Sequence, residues 1–289
     1  MDAVHALSLA VMTLMLASGL WKSEPVLAVA VLVVSAGVWS GALRDRQPRG
    51  WWFVYVGGMY LYTMLRALAD EYGLPVQVDY VIAIEEFIFH GMVPTVTLQE
   101  SLFSPSGLDW LDTVATLVHW SFFVVPHVAA IVIWRRGGPG FSRYVLAVVG
   151  TLYAGLVIFF LLPTAPPWLA SAAGEIPGVY RVIDFVGSGL NVETYRQLHA
   201  SMAEPNSVAS VPSIHMAVTM TLVLWARRRA PRLVPWASAY CVLMGLSLVY
   251  LGEHYAVDLL AGALVAAVVD VVVNRAPSVE AETPEAVQV

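Results

Sequence analysis

The chain has 289 residues, 58% of them hydrophobic and only 12% charged, with a mean hydropathy of +0.71, where an ordinary globular domain is about a quarter charged. A soluble fold of this size cannot hide that much apolar surface, and the same figures exclude disorder, so the chain reads as a polytopic membrane protein. Fifteen basic against 21 acidic residues exclude a general nucleic-acid surface, and the single cysteine, Cys241, excludes intrachain disulfides and cysteine-rich metal sites.

Apolar runs close to the roughly 20 residues needed to cross a hydrocarbon core predict eight spans, at about 4–20, 26–43, 51–68, 112–134, 143–162, 211–226, 233–251 and 255–273. The fold class is therefore all-α, a membrane helical bundle. Asp2 and His5 precede the first run where a signal peptide would be basic, so that run is read as a retained span. Basic residues give the orientation. Arg44, Arg46 and Arg49 follow the second span, Arg135, Arg136 and Arg143 the fourth, Arg227, Arg228, Arg229 and Arg232 the sixth, and Arg275 the eighth. These eleven mark one side as cytoplasmic, with both termini inside, and leave Lys22, Arg66, Arg181 and Arg196 outside.

Two outer segments are too long for simple turns. Residues 69–111 hold an interrupted apolar piece, Tyr80 to Phe103, which carries Glu85, Glu86, His90, Gly91 and Pro94 and is expected to lie at the interface. Residues 163–210 open on Pro163-Thr164-Ala165-Pro166-Pro167-Trp168, where closely spaced prolines stop a helix and tryptophan suits a membrane–water boundary. This second segment is a lid candidate. The tail beyond Arg275, 276–289, is acidic, contains proline and is expected to be disordered and cytoplasmic.

Chemistry concentrates at two helix mouths. Val211-Pro212-Ser213-Ile214-His215 opens the sixth span and Gly252-Glu253-His254-Tyr255-Ala256-Val257-Asp258 the eighth. One full span separates them, so His215 and His254 share one face of the bilayer. His254 and Asp258 are four apart, within reach on one helix face. A carboxylate accepting from one imidazole nitrogen fixes the tautomer and leaves the other free to attack. Both histidines lie near helix N-termini, where backbone N–H groups favour an anion such as phosphate. Pro212 suits a first helical turn, and Ser213 can cap the helix or bond a phosphate oxygen. The bland alternative is a set of interfacial histidines satisfied by their neighbours.

These segments resemble the type-2 phosphatidic acid phosphatase superfamily, whose second and third motifs read P-S-G-H and S-R-x5-H-x3-D. Pro212-Ser213-Ile214-His215 and His254-Tyr255-x2-Asp258 look most like its inositol phosphorylceramide synthase branch. The Pro163–Trp168 run and Gly91-Met92-Val93-Pro94-Thr95 with Leu98-Gln99 resemble the same branch. The resemblance covers roughly residues 51–273. It implies a six-helix core (51–275), a two-span N-terminal addition (1–50), and a lipid-phosphate phosphohydrolase or phosphotransferase with an extracytoplasmic site.

It also implies roles. His254 is the nucleophile that forms a phosphohistidine, Asp258 orients it, and His215 protonates the leaving oxygen, with no metal or cofactor. Ser213 and Tyr255 then belong to the substrate site. The match departs from the family in its cations. The S-R pair falls on Ser247 and Leu248, and no K-x6-R-P motif is present. Arg66 is the first candidate for the missing phosphate clamp, followed by Arg181 and Arg196, and Glu253 reads as a structural acceptor. The acceptor of the phosphoryl group, water or a lipid or sugar hydroxyl, stays open.

Two readings of other classes remain: a transporter using the same residues, and a haem protein using His119 and His127. Against the first, the residues sit at one face and no inverted repeat is visible. His119 and His127 are read as core histidines, since no second histidine pair lies at matching depth. His90 and His199 have no partner in view, and Asp270 is expected to reach the cytoplasmic interface.

Overall fold

The computed structural model describes residues 50–68, 74–136, 140–188 and 208–275. The expected spans 4–20 and 26–43, Arg196, His199 and the tail 276–289 lie outside the described residues.

Within them the chain is helical, with two isolated β-bridges and no strand. The helices are α1 (Gly50–Leu68), α2 (Asp79–Ile88), α3 (Pro94–Leu102), α4 (Trp110–Ser121), α5 (Val125–Arg135), α6 (Gly140–Leu161), α7 (Pro167–Ala172), α8 (Val182–Ser188), α9 (Ile214–Arg229), α10 (Val234–Tyr250) and α11 (Ala256–Arg275). A 3₁₀ turn, Pro231–Leu233, leads into α10.

Three of these are long and apolar enough to cross a membrane: α6, α10 with its 3₁₀ turn, and α11. The α4–α5 pair makes a fourth if taken as one broken span. The helices at 51–68 and 211–226 form where expected, as α1 and α9. At 16 residues, α9 rises only about 24 Å, short of a ~30 Å hydrocarbon core. The described residues thus make up a helical membrane protein fold without strands. The expected single span 112–134 is bent by 45° between Ser121 and Val125. Pro126 sits in the first turn of α5, where its missing N–H is harmless, but it cannot continue α4.

Helix directions follow from the bonds at their ends. Ser213 N donates to Asp258 O (3.1 Å) where α9 and α11 begin, and Arg228 on α9 meets Asp270 on α11 (2.6 Å) at the far end. The two helices therefore run the same way. Asp270 does not reach out to an interface, as the sequence had suggested; it is buried and paired with that arginine. The reverse direction belongs to α6. Its start touches the ends of both, through Trp225 Nε1 donating to Gly140 O (3.1 Å) and Arg143 donating to Val273 O. Gly262 lets α9 and α11 close up, because a Cβ there would stand 2.3 Å from Ser213 O.

Apolar material divides by region. Trp52, Tyr55, Trp134, Phe141, Tyr144 and Phe159 form a core shared by α1, α5 and α6. Described parts of the two long connecting segments are stitched together beside the bundle. Gln77 N donates to Pro163 O (2.8 Å), Thr164 N to Val208 O (2.7 Å) and Ser210 N to Thr164 O (3.1 Å). Those bonds bring three short extended pieces side by side. The stretch 80–103 folds as two short helices, α2 and α3, of 10 and 9 residues, and neither can span.

Candidate active site

The turn between α10 and α11 builds half of the site. Gly252 takes a positive φ of 80°, a conformation that costs other residues a clash, and a Cβ there would lie 2.6 Å from Tyr180 O. The reversal lets Glu253 N and His254 N both donate to Leu248 O (3.1 and 3.3 Å). Leu251 N and Gly252 N take the carbonyls of Ser247 (2.8 Å) and Val249 (3.2 Å). The long connecting segments supply the remaining donors. Gln99 Nε2 bonds Tyr250 O (2.7 Å), Val182 N bonds Leu251 O (3.2 Å), and Trp168 N bonds Gly252 O (3.1 Å).

His254 therefore lies in the turn before α11 and not on the helix face, which corrects the i,i+4 picture while keeping its consequence. Asp258 is the third residue of α11, and its Oδ2 accepts from Tyr255 N (2.9 Å), as a residue at that position does in a capping box. The same oxygen lies 3.2 Å from His254 Nδ1 and accepts from Ser210 Oγ (2.6 Å). Nδ1 is thereby occupied, and the lone pair of His254 falls on Nε2.

The other half comes from α9. Ser213 is its N-cap, accepting from Met216 N (3.3 Å), so the hydroxyl caps the helix. Pro212 precedes the cap and is not in the first turn. His215, the second residue of α9, places Nδ1 3.4 Å from His254 Nε2. Its ring is held from behind by the break between α4 and α5, with ring centroids 4.4 Å from Phe122, 4.8 Å from His119 and 6.2 Å from Phe123. Asp258, His254 and His215 form a buried line.

The other expected residues divide. Tyr255 is fully buried, and its hydroxyl has no hydrogen-bond partner among the described residues. Arg181 pairs with Glu253 (Nε–Oε1 2.7 Å, a second nitrogen to Oε2 3.2 Å) and stacks on Trp168 (4.9 Å), so Glu253 is an acceptor, as expected. Arg66, in the last turn of α1, lies within electrostatic reach of His215. At the position of the missing motif arginine, Leu248 is buried with Met244 and Leu259. His119 and His127 do not converge. His127 Nδ1 bonds the Tyr55 hydroxyl (3.0 Å), whereas His119 joins the His215 cluster. Among the described residues no group of three or more His, Cys, Asp or Glu is placed to hold a metal ion.

Sequence reasoning missed Ser210, His119 and Glu85 as parts of this site. Ser210 lies three residues before Ser213, in a segment already marked. Glu85 is an acid inside an apolar run, itself a signal. Its side chain is fully buried, Oε1 accepts from Val257 N (2.7 Å) in the first turn of α11, and burial pushes its carboxyl up to about 7.

Known proteins resemble this chain over much of its length. The sequence profile of the PAP2 superfamily matches residues 101–272. The catalytic subunit of inositol phosphorylceramide synthase from Saccharomyces cerevisiae is 26% identical over 220 residues, 72% of this chain and 52% of that protein. Inositol phosphorylceramide synthase from Candida albicans is 25% identical over 213 residues, 71% of this chain and 43% of that protein. The chain thus spans about half the length of the curated relatives it matches. No solved structure matches it.

Proposed function

The chain belongs to the PAP2 superfamily, and on that premise we propose that it is a membrane-embedded lipid-phosphate enzyme whose covalent intermediate forms on His254. The observation that carries this reading is His254 with its Nδ1 held by Asp258 and the lone pair of its Nε2 turned towards His215 Nδ1, 3.4 Å away.

His254 Nε2 attacks phosphorus and the bond to the leaving oxygen breaks. His215, protonated when phosphate lies against it, gives that oxygen its proton. Asp258 holds the attacking ring and balances its positive charge. Water or an acceptor hydroxyl then loses a proton to His215, attacks the phosphohistidine and restores His254. Neither step calls on a metal. In-line displacement places attacking and leaving atoms on opposite sides of phosphorus, so His215 and His254 separate as substrate enters between them. Arg66 and Arg181 are the phosphate-binding cations, with Ser213 and Tyr255 lining the pocket.

The names of the two synthases favour transfer of a phospho-headgroup to a hydroxyl over hydrolysis. The arginines at the Arg228 end of the bundle favour placing that end in the cytoplasm and the site on the opposite face.

The test is release or transfer of phosphate from a panel of lipid phosphates in detergent, with and without inositol or glycolipid acceptors, comparing wild type with His254→Ala. Turnover lost in the variant supports the assignment. Turnover that persists in it, or no turnover on any substrate, removes His254 as the nucleophile.

A further inference from the structure

Glu85 is remote in sequence from the catalytic segments, yet its carboxyl reaches the helix that follows His254. One oxygen, Oε1, accepts from Val257 N at 2.7 Å, and Ala256 N adds a second backbone donor. Both amides belong to the first turn of α11, whose N–H groups have no partner inside that helix. Thus α11 is capped from outside by a neighbouring helix. The other oxygen, Oε2, is buried without a hydrogen-bond partner among the described residues, as are the Tyr255 hydroxyl and Asp258 Oδ1. Glu85, Tyr255 and Asp258 lie within electrostatic reach of one another.

We propose that Glu85 is a positioning residue for the transfer reaction. Its carboxyl fixes the start of α11, and with it the His254–Asp258 pair, while its proton keeps a second negative charge away from Asp258.

The groups around Glu85 fit that role. Asp258 and Tyr255 face it from α11 and the turn before it, and Tyr80 of α2, bonded to Thr164 Oγ1 (2.6 Å), lies within electrostatic reach of both of them. The hydrophobic cluster that contains Tyr255 also draws on Val81 of α2, Val93 and Val96 near α3, and Ala170 on α7. The charge that acts on the carboxyl is that of Asp258, which disfavours its ionised form, and burial moves it up to about 7. Two carboxylates sharing a dry site resist double ionisation. A charged Glu85 would also repel an incoming phosphate.

The inference rests on the proposed function only for its kinetic arm. Glu85→Gln keeps an oxygen for the α11 amides and removes the titration; Glu85→Ala removes both. In detergent, the folded wild type holds a proton that the unfolded chain releases between pH 4.5 and about 7, so its melting temperature falls across that interval. The Gln variant is expected to lack that part of the fall, and the Ala variant to melt below Gln throughout. Identical pH slopes in wild type and Gln would overturn the protonation role, and equal melting of Ala and Gln the capping role.

On lipid phosphate, the ratio of Gln to wild-type kcat/KM should rise roughly fivefold from pH 6 to pH 8, chiefly through KM. A constant ratio overturns the link to catalysis. Absence of His254-dependent turnover would instead strike the proposed function and leave the melting results to decide the rest.

Discussion

One helix, α11, carries two buried aspartates three turns apart, and they are treated in opposite ways. Asp258 is surrounded by neutral or weakly charged donors: a serine hydroxyl, a backbone amide and an imidazole. Asp270 is given a full guanidinium, three nitrogen–oxygen bonds from an Arg228 whose side chain is 45% exposed. The first arrangement leaves a carboxylate whose charge is felt by His254. In the second, the charge is cancelled on the spot and its effect is to pin the far ends of α9 and α11 together. A carboxylate on α11 is thus an instrument for a histidine or a clasp between helices, and its partners tell which.

That contrast can be broken experimentally, and the sharpest blow is Asp258→Asn. It keeps the shape but loses the charge and the tautomer control, so kcat should fall by about a thousandfold or more, read by single-turnover kinetics, while melting changes far less than activity. A rate within tenfold of wild type would mean the carboxylate is a clasp after all.

Arg181→Ala comes next. It strands Glu253, whose side chain is 3% exposed, and should cost about 3 kcal/mol. Adding Glu253→Gln should restore the melting temperature. If KM for lipid phosphate remains high in the double variant, Arg181 also binds substrate; if KM recovers, the arginine serves Glu253 alone.

Gly262→Ala drives a methyl against Ser213 O and should cost about 1–3 kcal/mol by overpacking, with a loss of turnover as His215 is displaced from His254. The smallest effect is expected from Asp270→Asn. It removes a half-exposed clasp worth about 1 kcal/mol or less, with turnover kept within about twofold; a catalytic loss there would erase the distinction between the two aspartates.

The histidine–aspartate line was legible because local rules govern it: short spacings, helix mouths and the parity of crossings. The membrane class was legible from composition alone. Glu85 was visible as an odd acid but its partner was not, since 172 residues separate it from Val257 and nothing local encodes that meeting. The break at residues 122–124 was written in Pro126, yet the apolar run masked it, because hydropathy averages over the residue that stops the helix. His119 passed for a core histidine for a related reason. Its depth was clear, but only the bend and the packing of α4 show that its neighbour is His215. The stitch at Gln77, Thr164 and Ala209 has no periodic signature, being made of single residues.

The end of α10 carries a consequence beyond its shape. A helix C-terminus presents carbonyl oxygens equivalent to about half a negative charge, an unwelcome neighbour for phosphate. Here the carbonyls from Ser247 to Gly252 each receive a donor, three of them from Gln99, Trp168 and Val182 in the long connecting segments. Those segments therefore do more than cover the site: they mask an electronegative wall of it. The same connecting segment that supplies Arg181 and the Ser210 hydroxyl to the site thus also quenches the carbonyl charge beside it.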